Sequence, residues 1–307
     1  MLKNITEKNK IFLTILLLFI FTINISFALS VSPNNEYCCY LYLYNKYYLF
    51  DLKEKKIIKN VEMPDYYDNV FFISKDKVAF VKGQKIEIMD SLILKPEAQF
   101  NFNQTIRDLK VVKENDTESF FLIFTDYSIR YFKYDKNKGI INLITQKDLV
   151  KYHDSLIKDN EIFVADNMFI SIFRESSFLF FKWLSSKKIK LEDVVYSLDV
   201  GKNKYAVLHY VSTSKRKVSF YTLNGMEITT KELEGNYQKL WFDKSEKEVV
   251  LFDNSNSIKI LSQNGEIRES NIYGGKIDQM QKFNEGFILV VIEDKPNFVV
   301  LDSNFNM

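Results

Sequence analysis

Apolar and polar residues alternate along most of this chain in short runs separated by clusters of Asn, Asp, Ser, Lys and Gly. Alternation with a period of two predicts β-strands with one face packed and one face wet. Seven of the runs close on a small polar or acidic residue. They are YYLFD at Asp51, IEIMD at Asp90, RYFKYD at Asp135, SIFRE at Glu175, VSFYT at Thr222, IKILS at Ser262 and FVVLD at Asp302. Successive closures lie 39, 45, 40, 47, 40 and 40 residues apart. A period of about 40 residues with several strands per repeat is the sequence signature of a β-propeller, one blade per repeat.

The repeat after Asn69 shows the unit. VFFIS (Val70 to Ser74), VAFV (Val78 to Val81), KIEIM (Lys85 to Met89) and EAQFNF (Glu97 to Phe102) read as four strands of one meander, joined by turns at Lys75-Asp76-Lys77 and Lys82-Gly83-Gln84. Asn224-Gly225 and Asn264-Gly265 occupy matching places 40 residues apart. Each predicts a type I′ hairpin between the third and fourth strands of its blade. The residue closing each third strand is a turn starter, because a short oxygen-bearing side chain bonds the backbone two residues on. The expected fold is therefore all-β: one propeller domain over residues 29–307, best fitted by seven four-stranded blades, with six and eight as alternatives. The last repeat lacks its fourth strand, so the segment Leu29 to Tyr37 is expected to pair with it and close the ring.

Residues 1–28 read as a secretory signal peptide. Lys3, Lys8 and Lys10 form a basic start, Ile11 to Ile25 an apolar stretch, and Ser26-Phe27-Ala28 a small-residue cleavage site before Leu29. The competing reading is an uncleaved anchor over Ile11 to Leu29 that would hold the protein on a membrane. Either places the propeller outside the cytosol: secreted, periplasmic or in a secretory lumen. Without residues 1–28 the chain is electrically neutral, with 39 basic and 39 acidic residues. That balance argues against a nucleic-acid binder, which usually carries a basic excess. Clusters at Lys187, Lys188 and Lys190 and at Lys215, Arg216 and Lys217 are expected in solvated loops. The only cysteines, Cys38 and Cys39, are adjacent, so no disulfide framework exists. They read as unpaired inner-strand residues, with an exposed thiol for an intermolecular bridge as the alternative.

The pattern resembles the WD40-like and quinoprotein-like propellers over nearly the whole of residues 29–307. The resemblance is to the fold. The Gly-His and Trp-Asp pairs of WD40 repeats are missing, and Trp241 is followed by Phe242 and then Asp243. The tryptophan-docking pattern of quinone-cofactor enzymes and the Asp-box of sialidases are missing too. What the resemblance implies is a habit of binding partners.

Nothing in the sequence points to a cofactor or a metal. His153 and His209 fall in different blades with no cysteine near either. No Gly-x-Ser-x-Gly or phosphate loop occurs, and Gly274-Gly275 reads as a loop between blades. SSFLFFKWL (Ser176 to Leu184) is apolar on both faces although it falls where an outermost strand is expected. Phe178, Phe180, Phe181 and Trp183 are therefore the candidate partner-binding residues. The reading that follows is an exported, non-catalytic scaffold for another protein. Its alternatives are an exported hydrolase or lyase with its site at the central channel, and the luminal part of an N-terminally anchored complex.

Overall fold

The computed structural model describes residues 29–175, 183–270, 272–284, 286–303 and 305–306. They form seven antiparallel sheets in a ring: residues 29–62, 69–101, 106–148, 152–190, 195–234, 239–270 and 276–302. Six sheets have four strands in sequence order and the seventh has three. The first strands of successive blades contact one another, so they line the axis and later strands lie progressively outward.

The core is the stack of blade interfaces. Val249 and Leu251 pack toward the preceding blade with Leu208 and Phe220, while Val250 and Phe252 pack toward the following blade with Leu289 and Val291. One strand thus feeds two cores through its alternating faces. That is why second strands such as Glu248–Phe252 and Gly286–Ile292 are apolar almost throughout. Residues that close third strands do start turns. Asp90 Oδ1 accepts the amides of Leu92 (2.9 Å) and Ile93 (2.8 Å), and Asp51 and Asp135 repeat the arrangement.

Several expectations need correction. The segment from Leu29 does not pair with the last repeat: Leu29–Val31 pairs with Tyr37–Tyr42 inside its own blade. Among the described residues the ring closes by side-chain packing. Phe298 of blade 7 stacks on Phe50 of blade 1, with ring centroids 4.9 Å apart, and Tyr40 donates to Asp278 Oδ2 at 2.6 Å. The fourth strand of blade 4 is Trp183–Lys190, so Lys187, Lys188 and Lys190 sit on a strand rather than in a loop. Lys215, Arg216 and Lys217 likewise open the third strand of blade 5. Arg216 is buried within that strand, and Ile189 is buried between Lys188 and Lys190. Cys38 and Cys39 are both fully buried in the second strand of blade 1, which rules out an exposed thiol. Burial pushes both thiols well above their usual pKa. In the two Asn-Gly hairpins only the glycine is left-handed (Gly225 φ 86°, Gly265 φ 84°), so the turns are not type I′. The loop is longer than two residues: Gly225 N bonds Thr222 O, and Thr222 N bonds Met226 O.

Candidate functional site

Antiparallel meanders fix which connections share a side of the ring. Linkers between blades lie with the turns joining second and third strands, and backbone bonds tie the two sets together. Tyr67 N donates to Tyr44 O (2.7 Å), Leu149 N to Tyr127 O (2.8 Å) and Tyr273 N to Asn256 O (2.8 Å). This side is called the linker face here. The remaining turns form the opposite face.

The axis holds a cavity of about 820 Å³, bordered by Phe72, Leu198, Trp241 and Met280 and by three carboxylate–ammonium pairs. Lys110 lies 3.2 Å from Asp108, Lys282 lies 3.0 Å from Asp199, and Lys239 bonds Asp154. Each aspartate also reaches the next blade. Asp108 Oδ2 accepts from Tyr152 (2.7 Å), Asp154 Oδ2 from Ser197 (2.7 Å) and Asp199 Oδ2 from the Phe242 amide (2.8 Å). Burial alone would lower the Lys110 pKa, but Asp108 and Asp154 more than offset it and raise it. Tyr152 is pushed well up by burial and by Asp108. The pairs brace successive blades, and each carboxylate is occupied by that work. Among the described residues no group of three or more His, Cys, Asp or Glu side chains is placed to hold a metal ion.

The linker face is different in chemistry. Of the large apolar side chains left exposed, Leu43, Tyr44, Tyr66, Tyr127, Val150, Tyr210, Val211 and Ile272 lie there. The opposite face has Leu92, Ile93, Leu223 and Met226. Tyr66 and Ile272 are 67% and 72% exposed. The linkers carry Asp65, Asp68, Glu192 and Asp193 against Lys151, and the adjoining turns Asp126, Asp253, Glu293 and Asp294 against Lys295. The described connections of the opposite face are balanced, with eight acidic and nine basic residues.

The linker face also stores strain. Leu43 and Tyr44 are consecutive left-handed residues, at φ 49° and 67°, in the turn closed by Asn45 N to Tyr42 O (3.3 Å). Residues with a Cβ lose about 1–2 kcal/mol each in this conformation, and such outliers cluster at functional sites. The linker holds them in place, through Met63 N to Asn45 O and Tyr67 N to Tyr44 O. The side chains so fixed are 60% and 52% exposed, with Tyr66 on the adjoining linker.

A second patch joins blades 4 and 5 where their first strands begin on the linker side, with the His153 and Tyr196 rings 6.1 Å apart. β-Bulges begin the first strands of blades 3, 4, 5 and 7 and single out Arg107, His153, Tyr196 and Asp278. A bulge re-aims the extra side chain. Arg107 makes two 2.9 Å bonds to Asp126, and Tyr196 lies 5.2 Å from the Arg216 guanidinium, which also covers Tyr210. His209 is fully buried beside this patch, its Nε2 3.1 Å from the Tyr221 hydroxyl. Burial lowers its pKa to about 4.

The residues singled out from the sequence fall elsewhere. Phe178, Phe180 and Phe181 lie outside the described residues, and Trp183 opens the outer strand of blade 4 opposite Glu175. The Leu43–Tyr44 turn was not legible as a site. Its signal is a hairpin turn with no Gly, Asn or Asp at its two central positions.

No family model matches this chain, and no curated protein matches it either. The fold has solved counterparts. Hsv2 of Kluyveromyces lactis aligns with a TM-score of 0.58 at 12% identity, over 85% of this chain and 88% of that one. BBS1N in complex with ARL6DN aligns at 0.60 and 13%, over 83% of each. BamB from Moraxella catarrhalis aligns at 0.55 and 13%, over 86% and 81%. At these identities the likeness is one of fold: a seven-bladed propeller of WD40 and BamB type.

Proposed function

We propose that this protein is an exported, non-catalytic scaffold that binds another protein through its linker face. The observation that carries the reading is the Leu43–Tyr44 turn, in which two bulky side chains are held exposed at a cost in backbone strain. Aromatic and aliphatic residues presented this way act as anchors that enter a pocket of a partner. The acidic excess around them fits a partner with a basic rim and steers its approach. The solved counterpart BBS1N, in complex with ARL6DN, supports a protein partner in general. Export rests on the pattern of residues 1–28. In support, Leu29, the first residue after the cleavage site read from the sequence, is already buried and paired with Tyr40.

The test is cross-linked capture of the tagged protein from its own cells, with Leu43→Ala/Tyr44→Ala alongside the wild type. A stoichiometric protein recovered by the wild type and lost with the double variant is the expected result. Equal recovery by both would remove the linker face from the account. Recovery of a turnover activity that depends on a channel residue would replace the scaffold with the enzyme reading.

A further inference from the structure

The outer edges of the seven sheets are not alike. Six sheets end in a fourth strand bearing charge, as in Lys56–Glu62, Trp183–Lys190 and Glu227–Glu234. The seventh ends in its third strand, Pro296–Asp302, with no charged residue from Asn297 to Leu301. Charges on an edge strand discourage pairing with other chains, and the middle of this edge has none. Its side chains are also less covered than their counterparts. Phe298, Val299 and Val300 are half-buried, whereas Leu49 and Phe50, or Tyr131 and Phe132, are buried in third strands that have a neighbour.

The direction of the free backbone groups follows from the turn after this strand. Asp302 N donates to Asn306 O (2.8 Å), as Thr222 N does to Met226 O (2.9 Å) in blade 5. Asp302 N therefore points away from the second strand. Antiparallel alternation then points the amide and carbonyl of Val300 and Phe298 outward as well. Pro296, next in the same set, has no N–H to offer. Among the described residues no strand pairs with this edge.

We propose that the edge of Pro296–Asp302 joins the same edge of a second copy of this chain, antiparallel about a two-fold axis at Val299. The edge is self-complementary in that register. Phe298 of each copy faces Val300 of the other, and the two pairs exchange four backbone hydrogen bonds. Val299 meets its own copy. At each end Lys295 comes beside the Asp302 end of the other copy, so opposite charges meet twice. The ladder stops there, because Pro296 lacks a donor and the Asp302 amide is already held by Asn306. The contact is isologous and closes at two subunits. It leaves the linker face free, so it stands or falls apart from the scaffold reading.

Sedimentation velocity of the purified protein over a concentration series tests this, with Val300→Pro and Val300→Thr as variants. Proline is tolerated on an edge strand where the lost N–H faces outward, so Val300→Pro keeps the fold, which an unchanged thermal melt confirms. The expected result is a dimer that Val300→Pro weakens by on the order of tenfold or more, because symmetry removes two hydrogen bonds, while Val300→Thr retains it. A monomer at every concentration, or a dimer indifferent to Val300→Pro, overturns the proposal. So does a monomer whose Phe298 and Val300 amides resist hydrogen exchange, since another segment or partner then covers the edge.

Discussion

Leu43–Tyr44 on the linker face and Asp159–Asn160 on the opposite face are both turns with two consecutive left-handed residues. Their φ values are 49° and 67° in the first and 50° and 61° in the second. The second uses the side chains that tolerate this conformation and bond their own backbone. The first uses a leucine and a tyrosine, and leaves both exposed. The backbone demand is the same, so the difference lies in what the side chains are for. The wider faces repeat the contrast. The opposite face is built from Asx turns of balanced charge, and the linker face from apolar side chains in an acidic surround. One face is a set of permissive turns, and the other presents strained, exposed apolar side chains, on which the proposed contact rests.

The largest effect expected is one that treats both faces alike. Asp154→Ala removes the ion pair with the half-buried Lys239 and cuts the bond from Ser197 inside the channel. A loss of about 3–5 kcal/mol is expected in urea unfolding. Capture of the partner should fall only in proportion to the unfolded fraction. A specific binding defect in a folded Asp154→Ala protein would mean that the channel, rather than a face, meets the partner.

Exchanging the two turns sharpens the comparison further. Leu43→Asn/Tyr44→Gly puts permissive residues on the same backbone, and should raise stability by about 1–2 kcal/mol while abolishing capture. Asp159→Leu/Asn160→Tyr should lower stability by a similar amount and create no binding. Thermal melts and capture yields read both. Loss of stability in the first variant would show that the turn is a packing element.

Between pH 7 and pH 5, acidification acts through His153 and His209, both held below the usual histidine range by burial. His209 is protonated near pH 6.5 in the unfolded chain, but only near about 4 when folded, because burial disfavours its charge. Between these values the unfolded state binds more protons, so stability falls as pH falls. The expected loss from pH 7 to pH 5 is roughly 2 kcal/mol. His209→Gln should flatten that slope in urea titrations. An unchanged slope would assign it to another group.

The smallest expected effect belongs to the opposite face. Asp51→Ala removes two backbone bonds in one turn and should cost about 1 kcal/mol in a chemical melt. Capture should be untouched.

How much of this was legible follows from how local each signal is. The interval between Asp51 and its successors located the blades, because Asp51, Asp90, Asp135, Thr222, Ser262 and Asp302 each accept a backbone amide within four positions along the chain. Strand identity in blade 4 failed for the opposite reason. Ser176 to Leu184 and the lysines after it carry comparable strand patterns, and only pairing with Phe169–Glu175 selects Trp183–Lys190. Ring closure was misjudged because it is made of Phe50, Tyr40, Phe298 and Asp278, which lie far apart in sequence. The channel braces and the Leu43–Tyr44 turn were illegible on the same ground. An Asp within a strand reads as polar whether it faces water or a lysine two blades away. A Leu-Tyr pair reads as apolar whatever its φ.

The account's central claim is that contact belongs to the linker face. Side-by-side quantitative capture with Leu43→Ala/Tyr44→Ala and with Leu92→Ala/Ile93→Ala, the exposed apolar pair of the opposite face, tests it most directly. Partner recovery should collapse in the first and match the wild type in the second. Collapse in the second with the first unaffected would contradict the account and move the binding surface across the ring.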